Sequence, residues 1–196
     1  MRTTLRTAGV AVRAMLVFTL LLGVGYMLLI TAVGQIALPF AANGSLIRTA
    51  DGQVAGSQLI GQSFTDADGN ALPRYFQSRP SAAGDGYDSA ASSGSNLGPE
   101  NDDLISSIEE RTAAAVELDG SGRIPADALT ASASGLDPDI SVANAERQVA
   151  RVAEARGLSA SEVESLVDAH TIPRDLGYLG DPRVNVVALN RALDAL

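Results

Sequence analysis

Charged side chains are missing from one long stretch of this chain. Between Ala14 and Phe40 no residue is charged, and from Met15 to Ile30 the apolar run is broken only by Thr19, Gly23, Gly25 and Tyr26. A bilayer core about 30 Å thick takes about 20 mostly apolar residues in helical form, and a helix is the form in which a lone segment satisfies its own backbone there. The pattern therefore predicts a single N-terminal transmembrane helix over residues 14–40. The run is longer than the roughly 7–15-residue apolar core of a cleaved leader. The best small-x-small triplet, Ala32-Val33-Gly34, is imperfect, so a retained anchor is expected.

After the anchor the apolar positions come in short groups. Asn43-Gly44-Ser45 signals a turn, and Leu46-Ile47, Gln58-Leu59-Ile60 and Arg74-Tyr75-Phe76-Gln77 read as short strands. Residues 81–99 are rich in Gly, Ser and Asn, the composition of a linker. Tyr87, Asp88, Asn96 and Leu97 interrupt it with groups able to pack or hydrogen-bond, as an ordered loop would.

The period then changes to that of helices. Leu104, Ile105, Ile108, Thr112 and Val116 make one face of a helix from about Glu100 to Leu118, with acids in its first turn where the helix dipole favours them. A second helix is predicted from Pro138 to Arg156, with Asp137 as N-cap, Gly157 as C-cap and Val142, Ala145, Val149, Val152 and Ala153 as its buried stripe. Ser159 and Glu162 stand at capping-box spacing ahead of a third. Val184-Asn185-Val186-Val187 reads as a strand before a closing helix to Leu196. Short strands mixed with three to four helices predict one compact α+β domain over 41–196.

Charge sets the expected orientation. Arg2, Arg6 and Arg13 precede the apolar run and no basic residue follows it closely. The positive-inside tendency makes residues 1–13 a cytoplasmic, basic N-terminus and the domain extracytoplasmic. Eleven Arg oppose twenty-three acids beyond residue 13, a formal −12. Such a domain repels nucleic acid and anionic surfaces, so no nucleic-acid partner is expected.

Composition excludes several chemistries. All fourteen basic residues are Arg; without Lys there is no P-loop and no Schiff base. Without Cys there is no disulfide, thiolate site or cysteine nucleophile. His170 is the one histidine. It could complete a hydrolase triad with a serine and a carboxylate, the alternative function for this chain, although no Gly-x-Ser-x-Gly elbow accompanies it and a structural histidine at a helix end fits as well. Residues 130–141 form a hydroxyl-rich loop running toward a helix N-terminus, where either anion binding or ordinary capping is possible. No catalytic or metal-ligating set is otherwise visible.

Taken in order, several segments resemble the KdpC subunit family of the bacterial Kdp potassium-transporting P-type ATPase. They are Ala42-Asn43-Gly44-Ser45-Leu46-Ile47, Gly56-Ser57-Gln58-Leu59-Ile60-Gly61-Gln62-Ser63-Phe64, Tyr75-Phe76-Gln77-Ser78-Arg79-Pro80-Ser81-Ala82, Ser93-Gly94-Ser95-Asn96-Leu97, the 130–137 run, Arg151-Val152-Ala153-Glu154-Ala155-Arg156 and Arg183-Val184-Asn185-Val186-Val187-Ala188-Leu189-Asn190. The resemblance implies a non-hydrolysing, single-span accessory subunit in the cell membrane. Its implied partners are a potassium-channel-like subunit, a P-type ATPase subunit and a small accessory membrane subunit. It also implies help with assembly and a raised affinity of the pump for ATP. Gln148 matches a glutamine linked with nucleotide contact in that family. ATP is inside the cell and the domain is expected outside, so an effect on ATP affinity would have to be transmitted allosterically.

Overall fold

The computed structural model describes residues 2–49 and 51–196. The chain divides into two compact units, Met1–Ala55 and Gly56–Leu196.

The first unit is dominated by one apolar helix, long and apolar enough to cross a membrane from Thr3 to Ala37. At 1.5 Å per residue an α-helix of that length extends on the order of 50 Å, more than a hydrocarbon core requires. It is built from α1 (Arg2–Phe18), a stretch of wider i→i+5 turns at Thr19–Tyr26 and α2 (Met27–Ala37). The wide turns contain both Gly23 and Gly25, and no side chain of the richest apolar window is buried within the protein. A short α3 (Pro39–Ala42) begins on Pro39, as suits a residue with no N–H to give. The two-stranded ribbon of β1 (Leu46–Arg48) and β2 (Val54–Ser57) follows.

The second unit has helices α4 (Asp102–Asp119), α5 (Ala126–Leu129), α6 (Val142–Arg156), α7 (Ala160–Ala169) and α8 (Val186–Asp194). Its sheet is antiparallel, with β5 (Arg183–Asn185) between β3 (Asp139–Ser141) and β4 (Thr171–Ile172). Ile140 and Thr171 both stand opposite Val184. Strand alternation buries Ile140 and Val184 and leaves Asp139 and Arg183 on the other face, where they pair at 3.0 Å. The apolar core is closed by Val149, Val152, Val163, Val167, Leu189 and Leu193 from the helices and by Phe76 from an irregular segment. An α+β domain following an apolar N-terminal helix is thus the architecture.

Helix ends follow local chemistry. Ser159 Oγ accepts from the Glu162 N–H at 3.3 Å while the Glu162 carboxylate accepts from the Ser159 N–H at 2.9 Å, a complete capping box. Gly157 ends α6 at φ +67°, and the Leu158 N–H reaches back to the Ala153 carbonyl at 3.0 Å, the 6→1 bond of a Schellman end.

Several expected boundaries move. The first long helix starts at Asp102 because Asn101 is its cap, accepting from the Asp103 N–H at 2.8 Å. Its predicted apolar face is only partly covered, with Ile105 and Val116 exposed. The second helix starts at Val142, not Pro138, and its N-cap is Ser141, not Asp137. Asp137 instead accepts from the Asp139 N–H at 3.0 Å, a local turn that frees residues 139–141 to pair with β5. The last strand stops at Asn185, whose side chain caps α8 by accepting from the Ala188 N–H. Gln58-Leu59-Ile60 is a turn, closed by Ser57 Oγ accepting from the Leu59 N–H at 3.1 Å; the strand lies earlier, at β2.

Residues 81–99 are not a free linker. Ser81 Oγ donates to the Gly135 carbonyl at 2.7 Å and accepts from the Tyr87 and Ala83 N–H groups, and the Ser93 N–H donates to the Ser134 carbonyl at 3.0 Å. The two loops approach so closely that a Cβ on Gly135, at φ +67°, would lie 2.7 Å from both Ala83 N and Ser93 O. Only glycine fits there.

Candidate functional site

Gln148 lies on the face of α6 turned toward residues 73–80. That segment, expected as a strand over Arg74–Gln77, pairs with no strand among the described residues. Two side-chain amides take the place of one. Asn190 Oδ1 accepts from the Phe76 N–H and its Nδ2 donates to the Phe76 carbonyl, both at 2.9 Å. Gln148 does the same one residue on: its Oε1 accepts from the Gln77 N–H at 2.7 Å and its Nε2 donates to the Gln77 carbonyl at 3.2 Å. Asn190 and Gln148 are both buried, and between them the backbone of Phe76 and Gln77 is satisfied where no strand reaches. The result drives the Phe76 ring into the core.

Gln148 has little capacity left over. Its Nε2 also donates to Asn144 Oδ1 at 3.1 Å, and its Oε1 also accepts from Arg151 Nη2 at 2.7 Å. Each amide atom therefore carries two contacts, the full inventory for a glutamine side chain.

Arg151 extends this network. Its Nε is paired with Asp119 Oδ1 at 2.7 Å, and its Nη1 donates to the carbonyls of Pro73 at 2.6 Å and Tyr75 at 2.8 Å. Both charged side chains are more than nine-tenths buried. The ion pair thus fixes the end of α4, α6 and the 73–77 segment in one place. Asp127 does similar work at the start of α6, accepting from the Ser141 N–H and hydroxyl at 2.8 Å each and from Asn144 Nδ2 at 3.0 Å.

An open cleft of about 890 Å³ lies over these groups, between residues 69–80, the second half of α4 and α6. Gln148 and Asn144 are on its lining, with Arg79, Arg111, Arg151, Glu117 and Asp119. Arg79 pairs with Asp137 at 3.0 Å. Arg111 has no carboxylate within ion-pair distance among the described residues, and donates to the Leu129 carbonyl at 2.9 Å. Tyr87 hydrogen-bonds to the Arg79 carbonyl at 2.7 Å, and burial pushes its phenol up to about 12. The cleft could take a polar ligand of modest size, but its residues make no nucleophile–base pair.

His170 is placed elsewhere. It ends α7, with its Nδ1 2.8 Å from the Leu166 carbonyl and its backbone N–H bonded to Leu166 and Val167. Neither a serine hydroxyl nor a carboxylate is bonded to it among the described residues, so the triad alternative has no geometry. In the 130–141 loop the hydroxyls are spent locally: Ser132 Oγ accepts from the Gly135 N–H, Ser134 Oγ from Leu136, and Ser141 Oγ from Asn144. Those hydroxyls make the turn and capping bonds of the loop.

Gln77 and Asn190 stand in segments that carry the resemblance, but no pattern marks them, Asp119 or Asp127 as network-forming side chains. Their partners lie up to 114 residues away, and no local periodicity signals a side chain bonding to distant backbone. Among the described residues no group of three acidic or histidine side chains is placed to hold a metal ion.

Comparison with known proteins addresses the whole chain. The family model described as "KdpC: K+-transporting ATPase, c chain" matches residues 8–195. A potassium-transporting ATPase KdpC subunit of Caulobacter vibrioides is 56% identical over 186 residues, 94% of this chain and 91% of that protein. The subunit of the same name from Gemmatimonas aurantiaca is 57% identical over 180 residues, 90% and 86% of the two chains. That from Mycobacterium tuberculosis is 51% identical over 189 residues, 95% and 96%. The family match covers nearly the whole chain, and the chain belongs to the KdpC family.

Proposed function

We propose that this chain is the non-hydrolysing accessory subunit of an ATP-driven potassium uptake complex. It is held in the cell membrane by one span, with its N-terminus in the cytoplasm and its α+β domain on the outer face. The partners are a potassium-channel-like subunit, a P-type ATPase subunit and a small accessory membrane subunit. The observation that carries the reading is the match to named KdpC subunits over nine-tenths or more of this chain, together with a family match that takes in both the apolar helix and the domain.

Two features support the finer points. Three Arg precede the apolar run and no basic residue stands directly after it, which favours an outward domain. Gln148 is occupied on both amide atoms by Gln77, Asn144 and Arg151, which favours a structural role over direct contact with nucleotide. Influence on the pump's affinity for ATP is then indirect. Binding of the subunit favours one conformation of the pump, and reciprocal coupling carries that bias to the nucleotide site.

Co-expression with the other subunits tests this directly. Affinity purification through the ATPase subunit should bring this chain down in detergent, and protease added to intact cells should digest the domain. Absence from the purified complex would remove the accessory-subunit reading. Protection until the cells are lysed would reverse the proposed orientation.

A further inference from the structure

Beyond residue 55, eight large apolar side chains are exposed, and four of them fall within one eight-residue stretch: Ile172, Leu176, Tyr178 and Leu179. The stretch runs from the end of β4, at Ile172, into the loop before β5. Asp175 and Leu179 exchange both backbone hydrogen bonds, at 3.0 and 2.9 Å, and an Arg174–Asp181 ion pair at 2.7 Å clamps the base. The loop is therefore a closed, braced structure with an apolar tip.

Its backbone is strained at the point of greatest exposure. Leu176 and Gly177 both sit in the left-handed region, at φ +53° and +82°. Gly, Asn and Asp dominate such paired positions, and a residue with a Cβ costs roughly 1–2 kcal/mol there. Burial of the leucine does not offset that cost, because its side chain remains 82% exposed. A braced, strained backbone that presents an uncovered leucine points to a contact made outside the chain.

We infer that the Leu176–Tyr178–Leu179 tip is a docking knob that seats in an apolar pocket on a protein subunit of the transport complex. This rests on the accessory-subunit reading above. Charge favours protein over lipid as the occupant. A domain-side charge of −12 is repelled by an anionic lipid surface; beside the tip Arg174 and Asp181 neutralise each other, and the exposed Asp175 next to Leu176 adds to that repulsion. Tyrosine, here Tyr178, is also among the residues enriched as buried anchors at protein interfaces. Three side chains cover only a few hundred Å², well below the roughly 1,200 Å² of a stable standard interface. The knob therefore adds to the grip of the membrane span and does not replace it.

The test uses the full-length chain co-expressed with the other subunits and retained on a tag carried by the ATPase subunit. Leu176→Gly and Tyr178→Ser are compared with the unsubstituted chain during washing in detergent, where no bilayer is present to stand in for the partner. Leu176→Gly should keep or raise the unfolding temperature of the isolated chain, since glycine relieves the left-handed strain. In the complex both variants should dissociate on the order of tenfold faster, equivalent to about 1.4 kcal/mol. Retention equal to the unsubstituted chain overturns the knob, including where lipid binding changes. So does a lowered unfolding temperature of the isolated Leu176→Gly chain, which would make the tip a part of the fold. If the unsubstituted chain itself fails to co-purify, the accessory-subunit reading falls first and the knob falls with it.

Discussion

Gln148 holds Gln77 by both of its backbone polar groups, at 2.7 and 3.2 Å, across 71 residues of sequence. Asn190 holds Phe76 in the same manner. Together they do for residues 76 and 77 what a neighbouring strand would do in a sheet, using two helices as the source. The consequence is a rigid segment on the wall of the cleft whose position depends on α6 and α8 at once.

Replacing Gln148 with Met keeps the volume and removes both bonds. An unsatisfied, shielded backbone group costs about 1–3 kcal/mol, and Gln148→Met should lose stability of that order in denaturant unfolding of the isolated chain. Gln148→Glu keeps the acceptor for the Gln77 N–H and for Arg151 but loses the donor to the Gln77 carbonyl and to Asn144. It should fall between the two. A Gln148→Met chain as stable as the parent would show that the clamp is not needed.

The buried Arg151–Asp119 pair gives a larger effect. Removing one member of a buried ion pair leaves an uncompensated charge, at about 3–5 kcal/mol. Asp119→Ala should therefore be among the most damaging single changes in the domain. Replacing both residues by apolar ones should recover only part of the loss, because Arg151 also donates to the carbonyls of Pro73 and Tyr75. A double-mutant cycle read by chemical unfolding separates the two contributions.

What the sequence made legible is what local chemistry controls. The apolar run before Phe40, the Ser159–Glu162 box, the Gly157 stop and the valine stripe of α6 all announce themselves within a few residues, and all are present. The start of α6 at Val142 departs from the expected Pro138 for a physical reason. Asp137-Pro138 carries strong helix-start chemistry, but the Arg79 ion pair and the pairing of Asp139 with Asn185 claim that segment first. Residues 74–77 look like a strand because they need strand-like satisfaction; that it comes from Asn190 and Gln148 is a long-range fact with no local signature. The cleft has none either, since its lining is gathered from residues 69–80, α4, α5 and α6.

Asp139 offers a pH test. Burial pushes its carboxyl above the ordinary 3.8, and the neighbouring Asp137 pushes the same way against the pull of Arg183. A carboxyl whose folded value is raised binds its proton more readily in the folded state. Its contribution to stability is therefore greatest at low pH and declines as pH rises from about 3.8 through the folded value. Asp139→Asn removes that decline. The stability difference between Asp139→Asn and the parent should shift in favour of the variant as pH is raised from below 4 toward neutral. A difference that stays flat, or shifts the other way, would mean that Arg183 outweighs burial at this site.

Nucleotide provides the last test, because direct and indirect roles separate in the isolated subunit. A ligand that binds only the folded state at one hundred times its Kd adds about 2.7 kcal/mol to stability, an effect easily read as a raised unfolding temperature. Gln148 makes four hydrogen bonds inside the domain, so a direct contact with nucleotide would have to break some of them. Millimolar ATP should therefore leave the unfolding temperature of the purified full-length chain unchanged. Addition of this chain to the other subunits should still lower the ATP concentration needed for half-maximal hydrolysis. In that assay Gln148→Met should act only as far as it destabilises the domain, so the defect should shrink at lower temperature, where more of the variant is folded. A clear upward shift of the isolated chain's unfolding temperature with ATP, abolished by Gln148→Met, would instead place the nucleotide on this domain.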